Sequence, residues 1–136
     1  MAEDFAPLLT RLRRVFPHAQ LETLSDSQLA AIREQHRGVP EHYLAFMREV
    51  GWGSLGDSFM LYGGLVGPEE IFDPETAAEL GGLLLFGDDL SGDVVGFDSR
   101  DGWRIVEVWH ASLRVHPIAA RTISEFITQQ LAGWEG

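Results

Sequence analysis

The residues best equipped for chemistry in this chain are carboxylates. The segment Asp88-Asp89-Leu90-Ser91-Gly92-Asp93 gathers three aspartates and a serine within six positions. Oxygen donors spaced in this way are what a hard cation such as calcium requires. An EF-hand loop started at Asp89 places Ser91 third and Asp93 fifth. Val94 then falls where the loop needs glycine, and Arg100 where it needs a bidentate glutamate, so that standard loop is excluded. Two readings stay open: a looser cation site, or an acidic turn whose aspartates accept backbone N–H groups, with Asp88 and Asp89 exposed. The turn is preferred, and no metal ligand is assigned. Glu69 and Glu70 form an adjacent pair, and paired carboxylates can perform acid–base hydrolysis. In a chain with 21 acidic residues such pairs arise from composition alone.

Other chemistries lack their residues. Cysteine is absent, which removes thiol nucleophiles, disulfides and thiolate metal sites. All ten basic residues are arginine, so lysine chemistry is impossible. No Gly-x-Ser-x-Gly elbow, phosphate-cradling loop or His-Glu-x-x-His pair occurs. The histidine pairs 36/42 and 110/116 are each six residues apart, which does not place them on one helix face at ligand spacing. No catalytic residue, metal or cofactor is therefore expected.

The charge is unevenly spread. The 136-residue chain has a formal net charge of −11. Residues 51–107 hold twelve acids against Arg100 and Arg104, which accounts for ten of those eleven charges. Phosphate contact needs clustered basic surface, so nucleic acid is excluded as a partner, and so is an anionic membrane. Scattered carboxylates can serve solubility alone, or they can steer a basic partner.

These carboxylates must be positioned by a mixed scaffold. The length predicts one domain over residues 1–136, and the 45% hydrophobic content is enough for a core. No repeat or linker divides it, and no apolar stretch reaches the length of a membrane span. Met1-Ala2-Glu3-Asp4 carries acid where a secretory leader needs basic charge, so a soluble, cytoplasmic protein is expected.

Phe5, Leu8, Leu9, Leu12, Val15 and Phe16 recur at helical spacing up to Pro17. Ser25 and Gln28 match a capping box ahead of a second helix, which Gly38 stops. Pro40 opens a third, with Tyr43, Leu44, Phe46, Met47 and Val50 on its apolar face. Glycines then punctuate short apolar runs, and strands are predicted at 59–62, 83–86, 93–97 and 104–109, with a final strand or extended edge at 113–117. The edge could pair with a second copy. A helical turn is predicted at 68–72, and Asp73 caps the short helix that Pro74 begins. Asp101-Gly102 supplies a hairpin turn. Trp103 and Trp109 are assigned to the sheet. Thr122 to Glu125 caps an amphipathic closing helix. Helices segregated from a run of strands predict an α+β class: N-terminal helices, a mainly antiparallel central sheet and a C-terminal helix packed on it.

Three stretches resemble a known family. Val39-Pro40-Glu41-His42-Tyr43-Leu44-Ala45-Phe46 followed by Gly51-Trp52-Gly53 looks like the proline, aromatic, phenylalanine and glycine segment of the SUKH superfamily. That superfamily joins the Smi/Knr-like cell-wall regulators of yeast with bacterial immunity proteins. The run from Phe86 through Gly92-Asp93 to Phe97-Asp98 resembles its central strand pair, and Ile123, Phe126 and Ile127 resemble its closing helix. The similarity covers about residues 24–132. Val39 stands where the family usually has leucine, and Trp52 where it usually has glycine.

The resemblance implies a non-enzymatic protein-binding domain: an immunity protein that neutralises a polymorphic toxin, often a nuclease. The alternatives are a regulatory or scaffold module for an endogenous protein, and a small-ligand or cation-binding domain. A nuclease site must be basic, so a carboxylate-rich surface could occupy it as a phosphate mimic. On that expectation the partner-binding residues are Trp52, Glu69, Glu70, Asp73, Asp88, Asp89 and Asp93. Trp52, in a glycine-rich loop, is either core or an aromatic anchor.

Overall fold

The helix boundaries follow from side chains that satisfy backbone groups. In the computed structural model, which describes residues 4–135, helices occupy Ala6–Val15 (α1), Asp26–Gln35 (α2) and Glu41–Glu49 (α3). The acidic start Met1-Ala2-Glu3 lies outside the described residues. Ser25 accepts from the Gln28 amide at 3.2 Å while the Gln28 side chain accepts from the Ser25 amide at 2.8 Å, the expected capping box. Pro40 is the N-cap of α3, in extended geometry.

Six strands follow: Gly53–Leu55 (β1), Phe59–Val66 (β2), Leu83–Asp88 (β3), Val94–Asp98 (β4), Arg104–Val108 (β5) and Val115–Pro117 (β6). They form one antiparallel sheet in chain order, each strand paired with the next. A 3-10 turn at Pro68–Glu70 and a short helix at Pro74–Glu79 (α4) connect β2 to β3, and a helix at Ile123–Glu135 (α5) closes the chain. This is the expected α+β arrangement. Among the described residues no helix is long and apolar enough to cross a membrane.

Each sheet face is buried by a different layer. On one face Phe59, Phe86, Phe97 and Ile105 join Tyr43, Phe46, Phe126 and Ile127 from α3 and α5. Phe97 meets Phe86 at 5.1 Å and Tyr43 at 5.6 Å between ring centroids, within the range of favourable aromatic pairs. On the other face Leu83, Leu85, Val94, Val106 and Val108 are sealed by Leu80, Tyr62 and Phe72, so the acidic 67–82 connection is itself a cover for the sheet. His42 ties the first layer together: its Nδ1 accepts from the Ile123 amide at 3.2 Å, and Thr122 Oγ1 accepts from the Glu125 amide.

Several local expectations are corrected. β2 runs on through Gly63-Gly64 to Val66, where the glycines suggested a break. β1 emerges within what read as loop. Trp103 and Trp109 lie outside the strands: Trp103 sits in the β4–β5 turn with φ of +59°, and Trp109 follows β5. The edge strand β6 is three residues long and ends on Pro117, which lacks an N–H, so it is poorly suited to pairing with another chain.

Candidate functional site

The candidate carboxylates fall into two groups. The first lies where β3 turns into β4. The pairing of these strands slips between Leu85 and Gly87, one residue extra on β3, so Phe86 joins the helix-side core and Asp88 pairs with Val94 next to Met60. Asp88 there accepts from the Tyr62 hydroxyl at 2.6 Å and from the Leu90 amide at 2.9 Å. Burial, then the bond to Asp88 and its charge, push the Tyr62 phenol well above its ordinary value, so it stays a neutral donor. Asp89 accepts from the Ser91 and Asp93 amides at 2.8 and 3.1 Å. Asp88 and Asp89 are half-buried, where exposure was expected, because each folds back to satisfy its own turn.

Asp93 reaches further. Its Oδ1 accepts from the His110 amide at 2.9 Å and lies 2.6 Å from His110 Nδ1. The backbone bond from His110 is the main cause holding the Asp93 carboxyl below the usual aspartate range, with the His110 side chain second. The 89–93 loop is thereby fastened to the 109–114 loop between β5 and β6. Both oxygens of Asp88, and Oδ1 of Asp89 and of Asp93, are thus engaged with N–H and O–H donors, where a cation site needs lone pairs left free to converge. Among the described residues no group of three or more histidine, aspartate or glutamate side chains could hold a metal.

The second group lies on the cover segment. Glu70 accepts from the Gly67 amide at 3.0 Å, and Asp73 caps α4 by accepting from the Thr76 amide at 2.8 Å. The Thr76 backbone bond leads the causes that hold the Asp73 carboxyl below its ordinary value. Glu69, Glu70 and Asp73 are exposed. Among the described residues, the arginine ion pairs are Arg33–Glu41, Arg48–Asp26 and Arg104–Asp101, so no arginine neutralises Glu69, Glu70, Asp73, Asp88 or Asp89.

Trp52 joins neither group. It leads into β1 at the far edge of the sheet, its backbone exchanges 2.9 Å bonds with Glu22 in both directions, and its half-buried ring covers Gly63. It acts as a strut between the helical layer and the sheet. A cleft of about 440 Å³ beneath α1, lined by Leu12, Phe16, Leu21 and Leu55 among others, contains none of the candidate residues.

Known protein families, characterised proteins and solved structures offer no match to this chain. The geometry adds residues that the sequence pattern did not single out for binding: Leu90, Trp109, His110, Leu113 and Val115. The Trp109 indole donates to Glu107 at 2.7 Å, and its ring stacks on His116 with centroids 3.7 Å apart. One signal was available, since a leucine amid aspartate, serine and glycine is out of keeping with a solvated turn.

Proposed function

We propose that the chain is a non-enzymatic binding protein of the immunity type, which neutralises a basic partner domain by occupying its anion-binding surface. The observation that carries this reading is a set of carboxylates that no arginine neutralises, several of them held in place by backbone donors. A carboxylate fixed by N–H bonds loses little freedom when a cation docks against it. Phosphate-binding surfaces on nucleases are basic, and such an array can substitute for the phosphates. The concentration of charge between residues 51 and 107 favours fast, salt-sensitive capture.

The test begins by isolating the partner from the cell of origin and asking whether its expression arrests growth and whether this chain relieves the arrest. The association rate with that partner should fall by about tenfold or more between low and physiological salt. Replacing Glu69, Glu70, Asp88 and Asp89 together with Gln or Asn should slow association further. A rate indifferent to salt and to these changes would refute the electrostatic reading. A harmless endogenous partner would favour the regulatory alternative.

A further inference from the structure

The described chain exposes five large apolar side chains: Ile71, Leu90, Trp109, Leu113 and Val115. Four of the five belong to, or border, the two loops that Asp93 fastens together. Leu90 is 51% exposed, Trp109 44%, and Leu113 and Val115 39% each. Their closeness follows from the covalent chain. The His110 ring lies against Gly92, two residues from Leu90, and consecutive Cα atoms are about 3.8 Å apart. The Leu113 amide donates to the Trp109 carbonyl at 2.7 Å, so these two residues close one tight turn.

Leu90 and Leu113 also have φ of +65° and +56°. Glycine or asparagine accepts this left-handed backbone readily and leucine does not. The carboxylates of Asp88, Asp89, Asp93 and Glu107 belong to the same two loops and the strand ends beside them, against Arg114 as the permanent cation. Apolar side chains rimmed by carboxylates that no arginine neutralises complement a surface in which arginine or lysine flanks apolar residues. A second copy of this chain, itself at −11, meets like charge there.

We infer that the fastened 89–93 and 109–114 loops are the docking platform, and that their occupant is a basic, amphipathic segment of a protein partner. Leu90, Trp109 and Leu113 supply the apolar contact, and Asp88, Asp89 and Glu107 receive the flanking cations. This inference rests on the reading of the chain as a binder of basic protein. It narrows that reading by moving the centre of contact from the 69–79 cover and Trp52 to the loop tips.

The experiment titrates the full chain, amide-labelled for NMR, with a short synthetic peptide of arginine and leucine, at low salt. An arginine–serine peptide and a glutamate–leucine peptide of equal length serve as controls. Shift changes should concentrate at 88–93 and 107–115. The arginine–serine peptide should bind more weakly and the glutamate–leucine peptide not at all. The variant L90N/L113N, whose asparagines suit the left-handed backbone, should keep the native spectrum and bind the arginine–leucine peptide about tenfold more weakly.

Shifts centred on 69–79, or undiminished affinity in L90N/L113N, would overturn the platform while leaving the broader reading standing. Failure of both cationic peptides to bind would overturn both. Self-association of the free chain through these loops, seen by sedimentation, would overturn the assignment of a basic occupant.

Discussion

Removing the Asp93 carboxylate tests the join on which the loop platform depends. In Asp93→Ala the His110 amide and ring both lose their acceptor, at 2.9 and 2.6 Å. Buried bonds to a charged group are worth about 1.5–3 kcal/mol each. Here the His110 and Asp93 side chains are 57% and 26% exposed, so solvent competes and the pair together should contribute about 1–2 kcal/mol. Unfolding entropy near 2.1 cal/mol/K per residue makes this a loss of about 3–7 °C in Tm for a chain of this length.

The pH dependence has a defined sign. The folded Asp93 carboxyl titrates below its unfolded value. Its contribution is therefore complete above the unfolded aspartate value of about 4 and is lost as pH falls through the lower folded value. Scanning calorimetry of wild type and variant at neutral pH and at successively lower pH should show the gap narrowing below about pH 4. Hydrogen exchange should accelerate at the His110 amide and not in the core of β4. A gap that stays constant down to about pH 2.5, or one under about 1 °C at neutral pH, would refute the argument.

Three further outcomes follow from the packing. Ser25→Ala removes one half of the capping box and should cost about 1 kcal/mol in urea unfolding, with little change in m-value. Gly96→Ala should cost about 3 kcal/mol or more, because the added methyl would collide with the Leu84 carbonyl and come within 2.6 Å of Leu85 Cα, both backbone. Tyr43→Phe should leave stability unchanged or raise it by up to about 1 kcal/mol, since the buried Tyr43 hydroxyl has no partner among the described residues; a comparable loss would show that the hydroxyl is satisfied.

What the sequence revealed is what side chains impose locally. Ser25 with Gln28, Asp73 ahead of Pro74, and Asp101-Gly102 each announce a boundary because one residue type satisfies one backbone need. Where pairing with distant strands decides, local signals mislead. Gly63-Gly64 reads as a break, and the pairing with β3 does slip between Leu61 and Val66, yet β2 continues through it with the Trp52 ring against Gly63. The slip at Phe86 has no marker of its own, and it sets which side of the sheet Asp88 occupies. The acidic turn was legible as a turn; its attachment to His110, seventeen residues on, was not. Trp109 reads as strand by its neighbours Val106 and Val108, but β5 ends before it.

Leu90 and Leu113 separate the demands of folding from those of binding. Changing either to glycine relieves about 1–2 kcal/mol of left-handed strain. Against this stand about 0.5–1 kcal/mol of added chain entropy in the unfolded state and about 1 kcal/mol of lost burial for a side chain already half exposed. The terms nearly cancel, so Leu90→Gly and Leu113→Gly should each shift unfolding free energy by less than about 1 kcal/mol. A fold indifferent to two leucines has no use of its own for their strain or for their exposed apolar surface, which is what the proposed platform requires. Losses of about 2 kcal/mol or more at each site would return these leucines to the fold and remove the apolar half of the platform.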